Sequence, residues 1–137
     1  GADAVVEWQL RQLQAFHERF GAHLEQAPTA DIPAGVGEVR AHLIAEELEE
    51  YRTAFVAGDL VEIADALTDL LYLVLGTYHS HGLQDIAAEL FDEVHRSNMT
   101  KLGANGQPVL REDGKVLKSE LYSPPDLRAI IKRATAT

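Results

Sequence analysis

Seven carboxylates are concentrated in two short segments of the sequence, at spacings that place most of them on single helix faces. In residues 46–50, three glutamates fall within roughly a 100° arc at 100° per residue: Glu46, Glu47 and Glu50. The segment after Gly58 carries three acids within an arc of about 60°: Glu62, Asp65 and Asp69. The seventh carboxylate, Glu49, flanks the first group. Grouped carboxylates are typical ligands of divalent cations.

An antiparallel helical hairpin around Gly58 would bring the two acidic stripes face to face. Counted from Gly58 along a helix, Glu50 lies roughly 12 Å from the turn and Asp65 roughly 10 Å. Glu47 and Asp69 are matched in the same way, at about 16 Å on opposite sides of the turn. We therefore expect most of these carboxylates to share one cleft.

Carboxylates that share a cleft need something to offset their charge. Two like charges about 4 Å apart repel by about 4 kcal/mol at an effective dielectric constant of 20. No lysine or arginine occurs between Arg52 and Arg96, so protonation or a metal ion remains. Oxygen ligation suits Mg²⁺ or Mn²⁺, and Mg²⁺ commonly takes a substrate phosphate as a further ligand. This pattern favours phosphate chemistry.

A competing interpretation assigns no site to these acids. In it, residues 46–50 form an exposed acidic face, Glu62 is only the capping partner of Asp59, and the remaining acids find hydrogen bonds. It is the less favoured interpretation, because Asp65 and Asp69 lie beyond the first turn of a helix that is otherwise apolar all round.

Four helices are predicted to position the acids, which is enough for a helical bundle. Apolar spacing and breaker residues place them at about 4–24, 35–56, 60–81 with Asp59 as N-cap, and 83–101. In the fourth helix, Asp92 and Arg96 are spaced for an ion pair. The chain changes character at Gly103, and strong turn dipeptides then predict a β-hairpin over residues 109–118 before a short helix over 126–133. We predict an all-α fold with a four-helix-bundle core (about 4–101) and a C-terminal extension (102–137), forming one domain.

Composition limits the classes of function. A net charge of −10 argues against binding to a nucleic-acid polymer, which needs a basic surface. No apolar run reaches the roughly 20 residues of a membrane span, and nothing argues for export, so the cytoplasm is the expected location. The absence of cysteine excludes thiolate chemistry. Residues 96–137 are basic, however, with eight lysines and arginines against four acids, and could bring cations toward a bound polyanion.

The acidic segments resemble the MazG-like all-α nucleoside triphosphate pyrophosphohydrolases, a superfamily that includes dimeric dUTPases and phosphoribosyl-ATP pyrophosphohydrolases. The family signature is E-E-x-x-E followed by E-x-x-D, which here corresponds to residues 46–50 and 62–65. The ordered pair on a helical hairpin is specific, and the resemblance covers at least residues 40–101. Residues 94–101, 113–118 and 124–126 also resemble a bacterial and phage subgroup of phosphoribosyl-ATP pyrophosphohydrolase-like proteins.

The resemblance implies a metal-dependent hydrolysis of a nucleotide to its monophosphate and pyrophosphate. It implies four ligands for Mg²⁺ or Mn²⁺: Glu47, Glu50, Glu62 and Asp65. Glu46 would be a further ligand or the group that orients the attacking water, so Glu46 and Glu47 are the predicted catalytic residues. Only 11 residues separate the two half-motifs, and the extra Glu49 offers a second register. The ligand set, including the role of Asp69, is therefore open.

Contacts to the rest of a substrate are less clearly marked. Five polar residues in and after the fourth helix are candidates for phosphate or sugar contacts: Arg96, Asn98, Lys101, Lys115 and Lys118. Base stacking by Trp8, Phe16, His17 or Phe20 is the less favoured interpretation, because an apolar stripe at helical spacing is usually core.

The third helix is too apolar for one subunit to cover, which predicts a homodimer or a homotetramer. The substrate is open among dUTP, other nucleoside triphosphates and phosphoribosyl-ATP. The alternative from a different class is a non-catalytic helical module whose acidic cleft binds metal or a basic partner.

Overall fold

The computed structural model describes residues 2–136, with the side chains of residues 6–136. The chain forms two compact units that divide after Asp85. The first unit contains three helices: α1 (Ala2–Phe20), α2 (Ala34–Ala57) and α3 (Leu60–Ser80). A 3-10 turn (Gln84–Ile86) follows, and then α4 (Ala87–Met99), β1 (Val109–Leu110), β2 (Val116–Leu117) and α5 (Leu127–Thr135).

The all-α class with a small hairpin and a short last helix is confirmed. Three of the four predicted core helices belong to the first unit and the fourth to the second, so the single-domain organisation stays a prediction. The first helix ends at Phe20 rather than Leu24, because Gly21 adopts a φ of 72°. The fourth begins later than residue 83, since Gln84–Ile86 form a tighter 3-10 turn.

A two-residue connection folds α2 back on α3. Gly58 ends α2 in the left-handed conformation, and Asp59 accepts a hydrogen bond from the Glu62 backbone N–H at 3.1 Å. The Asp59 N–H donates to the Ala54 carbonyl, so only the Asp59 half of the predicted capping box forms. Ala54 and Ala66 are buried at 5% and 2% exposure, which lets the two helices approach closely.

Arg40 joins α2 to α3 away from the turn. Its Nη2 donates to the Leu73 carbonyl at 2.8 Å and its Nε donates to the Thr77 hydroxyl at 3.0 Å. A Cβ on Gly76 would lie 2.7 Å from Arg40 Nη2, so the guanidinium occupies space that only glycine leaves open. We call this set of contacts the Arg40 clamp.

Helix α1 packs on α3 through a buried face that contains two histidines. Leu10 and Leu13 are nearly inaccessible, and so are His17 and His79. The His79 Nε2 donates to the Leu10 carbonyl at 2.7 Å, and the His17 Nδ1 donates to the His23 carbonyl at 3.1 Å. Both imidazoles therefore satisfy backbone carbonyls, in the manner of core histidines.

His17 is expected to make the fold sensitive to acid. Burial lowers the pKa of His17 below its usual 6.5; the hydrogen bond to His23 opposes this shift, and the positive charges of Arg40, His79 and His23 reinforce it. Below about pH 6.5 the unfolded chain therefore binds more protons than the folded chain. The stability that His17 contributes is fully present above that pH and declines as the pH falls toward the lower pKa of His17 in the folded state.

The measurement is the melting temperature of the wild type and of His17→Asn between about pH 7.5 and 5. An asparagine amide can still donate to the His23 carbonyl but does not titrate, so we expect its melting temperature to fall less steeply with acid. Parallel profiles for the two proteins would show that His17 is not responsible.

The second unit is held together by α4, α5 and the segment between them. Ala87, Leu90 and Ile130 are its buried apolar residues on these helices, and Asp126 caps α5 by accepting from the Ala129 N–H at 3.1 Å. The strands pair antiparallel, with Val109 opposite Leu117. Arg96 pairs with Glu93 at 2.8 Å rather than with Asp92, because Glu93 also accepts from the Asp126 N–H and is held at the same junction.

Within residues 2–136, none of the helices has both the length and the hydropathy that a bilayer span requires.

Candidate active site

Three carboxylates from the α2–α3 hairpin converge. Glu47 and Glu50 lie one turn apart on α2, and Asp69 faces them from α3. One oxygen from each of the three lies within 4.8 Å of the others. Glu47 and Asp69 are half-buried, whereas Glu50 is exposed. We call these residues the carboxylate cluster.

The cluster carries strong internal repulsion. Burial raises the pKa of Glu47 to about 7, with further contributions from a hydrogen bond to Glu50 and from the charges of Asp69, Glu50 and Asp65. Burial also raises the pKa of Asp69, and the charges of Asp65 and Glu50 add to the effect. In the protein alone, a proton on Glu47 therefore relieves part of the repulsion near neutral pH.

The residues of the cluster fit a divalent cation. The Oε2 atom of Glu47 is buried and has no hydrogen-bond partner, which is costly for a carboxylate oxygen unless something else binds it. Three carboxylate oxygens at this spacing are the hard donors that Mg²⁺ and Mn²⁺ prefer. Glu47, Glu50 and Asp69 could therefore hold such an ion.

Two of the predicted ligands lie beside the cluster rather than in it. Asp65 is close enough for its charge to raise the pKa of both Glu47 and Asp69, but it is exposed. Glu62 lines a cavity of about 320 Å³ together with Glu50. This cavity opens at the turn end of the hairpin, and its other lining residues are Glu49, Thr53, Ala54, Ala57 and Asp59. The predicted four-ligand set stays a prediction.

A comparison with known families identifies the family of this chain. Residues 13–98, which span α1 to α4 and include both acidic segments, match the family model of phosphoribosyl-ATP pyrophosphohydrolase. The match covers more than half of the chain. The chain belongs to the phosphoribosyl-ATP pyrophosphohydrolase family. It is therefore a pyrophosphohydrolase, a hydrolase that acts on acid anhydrides, as the acidic segments predict.

A solved structure also resembles this pyrophosphohydrolase. It is a protein from Exiguobacterium sp. 255-15 that is provisionally named an NTP pyrophosphohydrolase. The two sequences are 30% identical over 92% of each chain, with a TM-score of 0.44. No curated protein matches the chain.

Glu46, predicted to be catalytic in this pyrophosphohydrolase, lies on α2 outside the carboxylate cluster. Its Oε1 is 2.6 Å from Nε2 of His42, one turn earlier, and both side chains are more than half exposed. The pairing leaves the other carboxylate oxygen free to bind a water molecule. The sequence had given His42 no role.

The five candidate substrate contacts of the pyrophosphohydrolase all belong to its second unit. Arg96 is engaged there, because it donates to Glu93, to the Ser123 hydroxyl and to the Pro124 carbonyl. The Arg96 hydrogen bond, followed by that of the Asp126 N–H, lowers the pKa of Glu93 to about 2. Asn98 and Lys115 are exposed, Lys101 is half-buried, and Lys118 Nζ lies 4.8 Å from the centre of the Tyr122 ring.

Asp69 is the residue of this pyrophosphohydrolase that the motif did not assign. The E-x-x-D half-motif ends at Asp65, whereas the structure places Asp69 one turn further along α3 against Glu47. The sequence did contain a signal for this contact, because Glu47 and Asp69 lie at the same distance from Gly58 along their two helices.

Proposed function

We propose that the chain hydrolyses a nucleoside triphosphate to its monophosphate and pyrophosphate in a reaction that depends on Mg²⁺ or Mn²⁺. The observation that carries the proposal is the carboxylate cluster, with the buried and unpartnered Oε2 of Glu47 at its centre. The family match and the resemblance of the acidic segments support it.

In this proposal Glu47, Glu50 and Asp69 hold the cation, and Asp65 and Glu62 complete the acidic surroundings of the site. These carboxylates would hold the divalent ion, which when bound would supply positive charge to stabilise the negative charge that develops as water displaces pyrophosphate at phosphorus. Glu46 orients the attacking water with the carboxylate oxygen that His42 leaves free. Four of the predicted phosphate or sugar contacts belong to the second unit and stay a prediction from the sequence: Asn98, Lys101, Lys115 and Lys118. The same holds for Arg96, whose side chain is 44% exposed.

Phosphoribosyl-ATP is the second candidate substrate, because the matching family model is described by that reaction. It carries a triphosphate like any nucleoside triphosphate, and its hydrolysis also releases pyrophosphate. The same carboxylate cluster would serve both reactions. The two candidate substrates would therefore be distinguished by the protein residues that contact the base and the sugar.

The test is pyrophosphate release from a panel of ribo- and deoxyribonucleoside triphosphates and phosphoribosyl-ATP, with Mg²⁺ or Mn²⁺ and with EDTA as the control. We expect release from at least one nucleotide and none in EDTA. Release only from phosphoribosyl-ATP would favour the second candidate. Metal binding without release from any compound would favour a non-catalytic module.

We also propose that the enzyme is a homodimer or a dimer of dimers. Four large apolar side chains of α3 fall within an arc of about 60° and remain 37–76% exposed: Leu60, Leu67, Leu71 and Val74. An exposed apolar stripe of this kind is typical of a subunit interface. We call it the α3 outer stripe.

The oligomer is tested by replacing Leu67, which is 50% exposed, with glutamate. The charge would be tolerated at a solvent-facing position but not inside an apolar interface, so we expect monomers by light scattering. The matched control is Val61→Glu, which is on the same helix and 75% exposed but lies off the stripe. A monomeric wild type, or a variant that keeps the wild-type mass, would contradict the proposed interface.

A further inference from the structure

Three aromatic rings form a continuous exposed surface where α1 meets α3. Phe16 and Phe20 stack with ring centres 4.5 Å apart, and Phe16 meets Tyr72 edge to face at 5.6 Å. Phe20 is 72% exposed, Tyr72 40% and Phe16 39%. We call these three residues the aromatic ledge.

The ledge is distinct from the core face of α1. Leu13 and His17, which belong to the core face of the same helix, are 3% and 2% exposed. Core packing therefore accounts for them but not for Phe20, which has most of its surface in solvent. Large exposed aromatic surface adjoining a polar site is characteristic of ligand contact.

The ledge continues the acidic surface of α3. Asp65, Asp69 and Tyr72 fall within an arc of about 60° along that helix, and Tyr72 follows Asp69 by a rise of about 4.5 Å. Asp65 and Tyr72 are both open to solvent, so the stripe runs from carboxylates to aromatic rings on one accessible face. In a nucleotide, one sugar separates the phosphates from the base by a comparable length.

We propose that the aromatic ledge binds the base of the nucleotide whose phosphates lie at the carboxylate cluster, with Phe20 as the main stacking ring. This inference rests on the proposed function of the same site. Every nucleobase presents a flat π-face, so a stacking surface adds affinity for purine and pyrimidine nucleotides alike. The ledge therefore strengthens binding of nucleotides as a class rather than selecting one base.

The experiment measures binding to Phe20→Ala by calorimetry with Mn²⁺. The probes are one purine and one pyrimidine nucleoside triphosphate with a non-hydrolysable α,β-imido bridge, and inorganic tripolyphosphate, which has no base. We expect the dissociation constants of both nucleotides to rise about tenfold in the variant. The constant for tripolyphosphate is expected to stay within about twofold of the wild-type value.

Two further variants make the result specific. Phe20→Trp keeps a stacking ring and is expected to restore nucleotide affinity to the wild-type level or above it. Phe91→Ala removes a similarly exposed phenylalanine (66%) from α4 and is expected to leave the dissociation constants of all three probes unchanged. Circular dichroism and light scattering on each variant show whether its fold and oligomeric state are preserved.

The outcomes separate the ledge from the hydrolytic activity. Nucleotide binding that is sensitive to Phe20, without pyrophosphate release, would retain the ledge and overturn the proposed function. Equal weakening of nucleotides and tripolyphosphate, or no weakening, would overturn the ledge. A change in the mass of the oligomer in Phe20→Ala, without a specific loss of nucleotide affinity, would also overturn it. So would a wild type that binds no nucleotide.

Discussion

Replacing Glu47 by glutamine or Asp69 by asparagine is expected to lower kcat by at least about 10²-fold. Replacing a residue that only hydrogen-bonds to a metal ligand already lowers metal affinity or activity by about 10–100-fold, so loss of a ligand should cost at least as much. Both residues contribute an oxygen to the carboxylate cluster, and burial raises the pKa of Glu47 to about 7. The measurement is pyrophosphate release at saturating Mg²⁺ or Mn²⁺ with the best substrate of the nucleotide panel.

The same two substitutions are expected to stabilise the protein when no metal is present. Burial and, after it, the repulsion between these acids raise the pKa of Glu47 and Asp69, and either substitution removes one of the charges that are penalised in this way. The melting temperature in EDTA should therefore rise at neutral pH. The increase that Mn²⁺ causes in the wild type should be smaller or absent. Loss of activity and gain of metal-free stability together would distinguish a ligand from a merely structural residue.

A control and a comparison sharpen this test. Glu38→Gln removes an exposed carboxylate from the same helix, outside the cluster, and should leave both activity and the Mn²⁺ effect unchanged. Asp65→Asn compares the motif assignment with the cluster in the structure. If Asp65→Asn were inactive and Asp69→Asn fully active, the four-ligand set of the sequence motif would be favoured over the cluster. Wild-type kcat in both Glu47→Gln and Asp69→Asn would refute the assignment.

Replacing Gly82 by alanine is expected to lower the free energy of unfolding by about 2–5 kcal/mol. Gly82 has a φ of 68°, and an added Cβ would lie 2.1 Å from the carbonyl oxygen of Ala27 and 2.4 Å from its carbonyl carbon. The obstacle is backbone, which cannot rotate away as a flexible side chain can. The segment that contains Ala27 is also hydrogen-bonded to the end of α3, because the Thr29 N–H donates to the carbonyl of His81, the C-cap residue, at 2.9 Å.

Gly58 offers a matched control for Gly82. It has the same φ of 68°, but no atom lies within 4 Å of an added Cβ, so Gly58→Ala carries the conformational cost alone, about 1–2 kcal/mol. Chemical denaturation of both variants separates the two contributions. A Gly82→Ala protein no less stable than Gly58→Ala would mean that residues 25–29 move aside at little cost.

The sequence predicted the hairpin because its signals are local. Asp59, the glycine before it and the apolar run after it determine where α2 ends and α3 begins within two residues of chain. The depth match of Glu47 with Asp69 then follows from helix geometry alone. Their convergence in the structure is the sequence-based prediction that mattered most for the site.

Contacts between distant segments were harder to predict. The motif assigned Asp65 as the ligand, but Asp65 and Asp69 lie one turn apart on the same face of α3, and the axial offset of α3 against α2 places Asp69 in the cluster. Arg96 joined Glu93 because of a backbone N–H thirty-three residues away, at Asp126. The apolar spacing of α1 predicted that Phe16 and Phe20 lie in the core, but both side chains are exposed. Their exposure depends on how the end of α1 packs on α3, which spacing alone does not determine.

The Arg40 clamp bears on how the enzyme would bind the proposed ion. Arg40 precedes Glu47 by seven residues, about 10 Å along α2, and its bonds to Leu73 and Thr77 keep the two helices together beyond the acids, while Gly58 closes the other end. The acids are thus prevented from drifting apart at either end. Folding therefore already holds the like charges close together, and the proposed cation would bind to carboxylates that are positioned in advance and would reduce their repulsion.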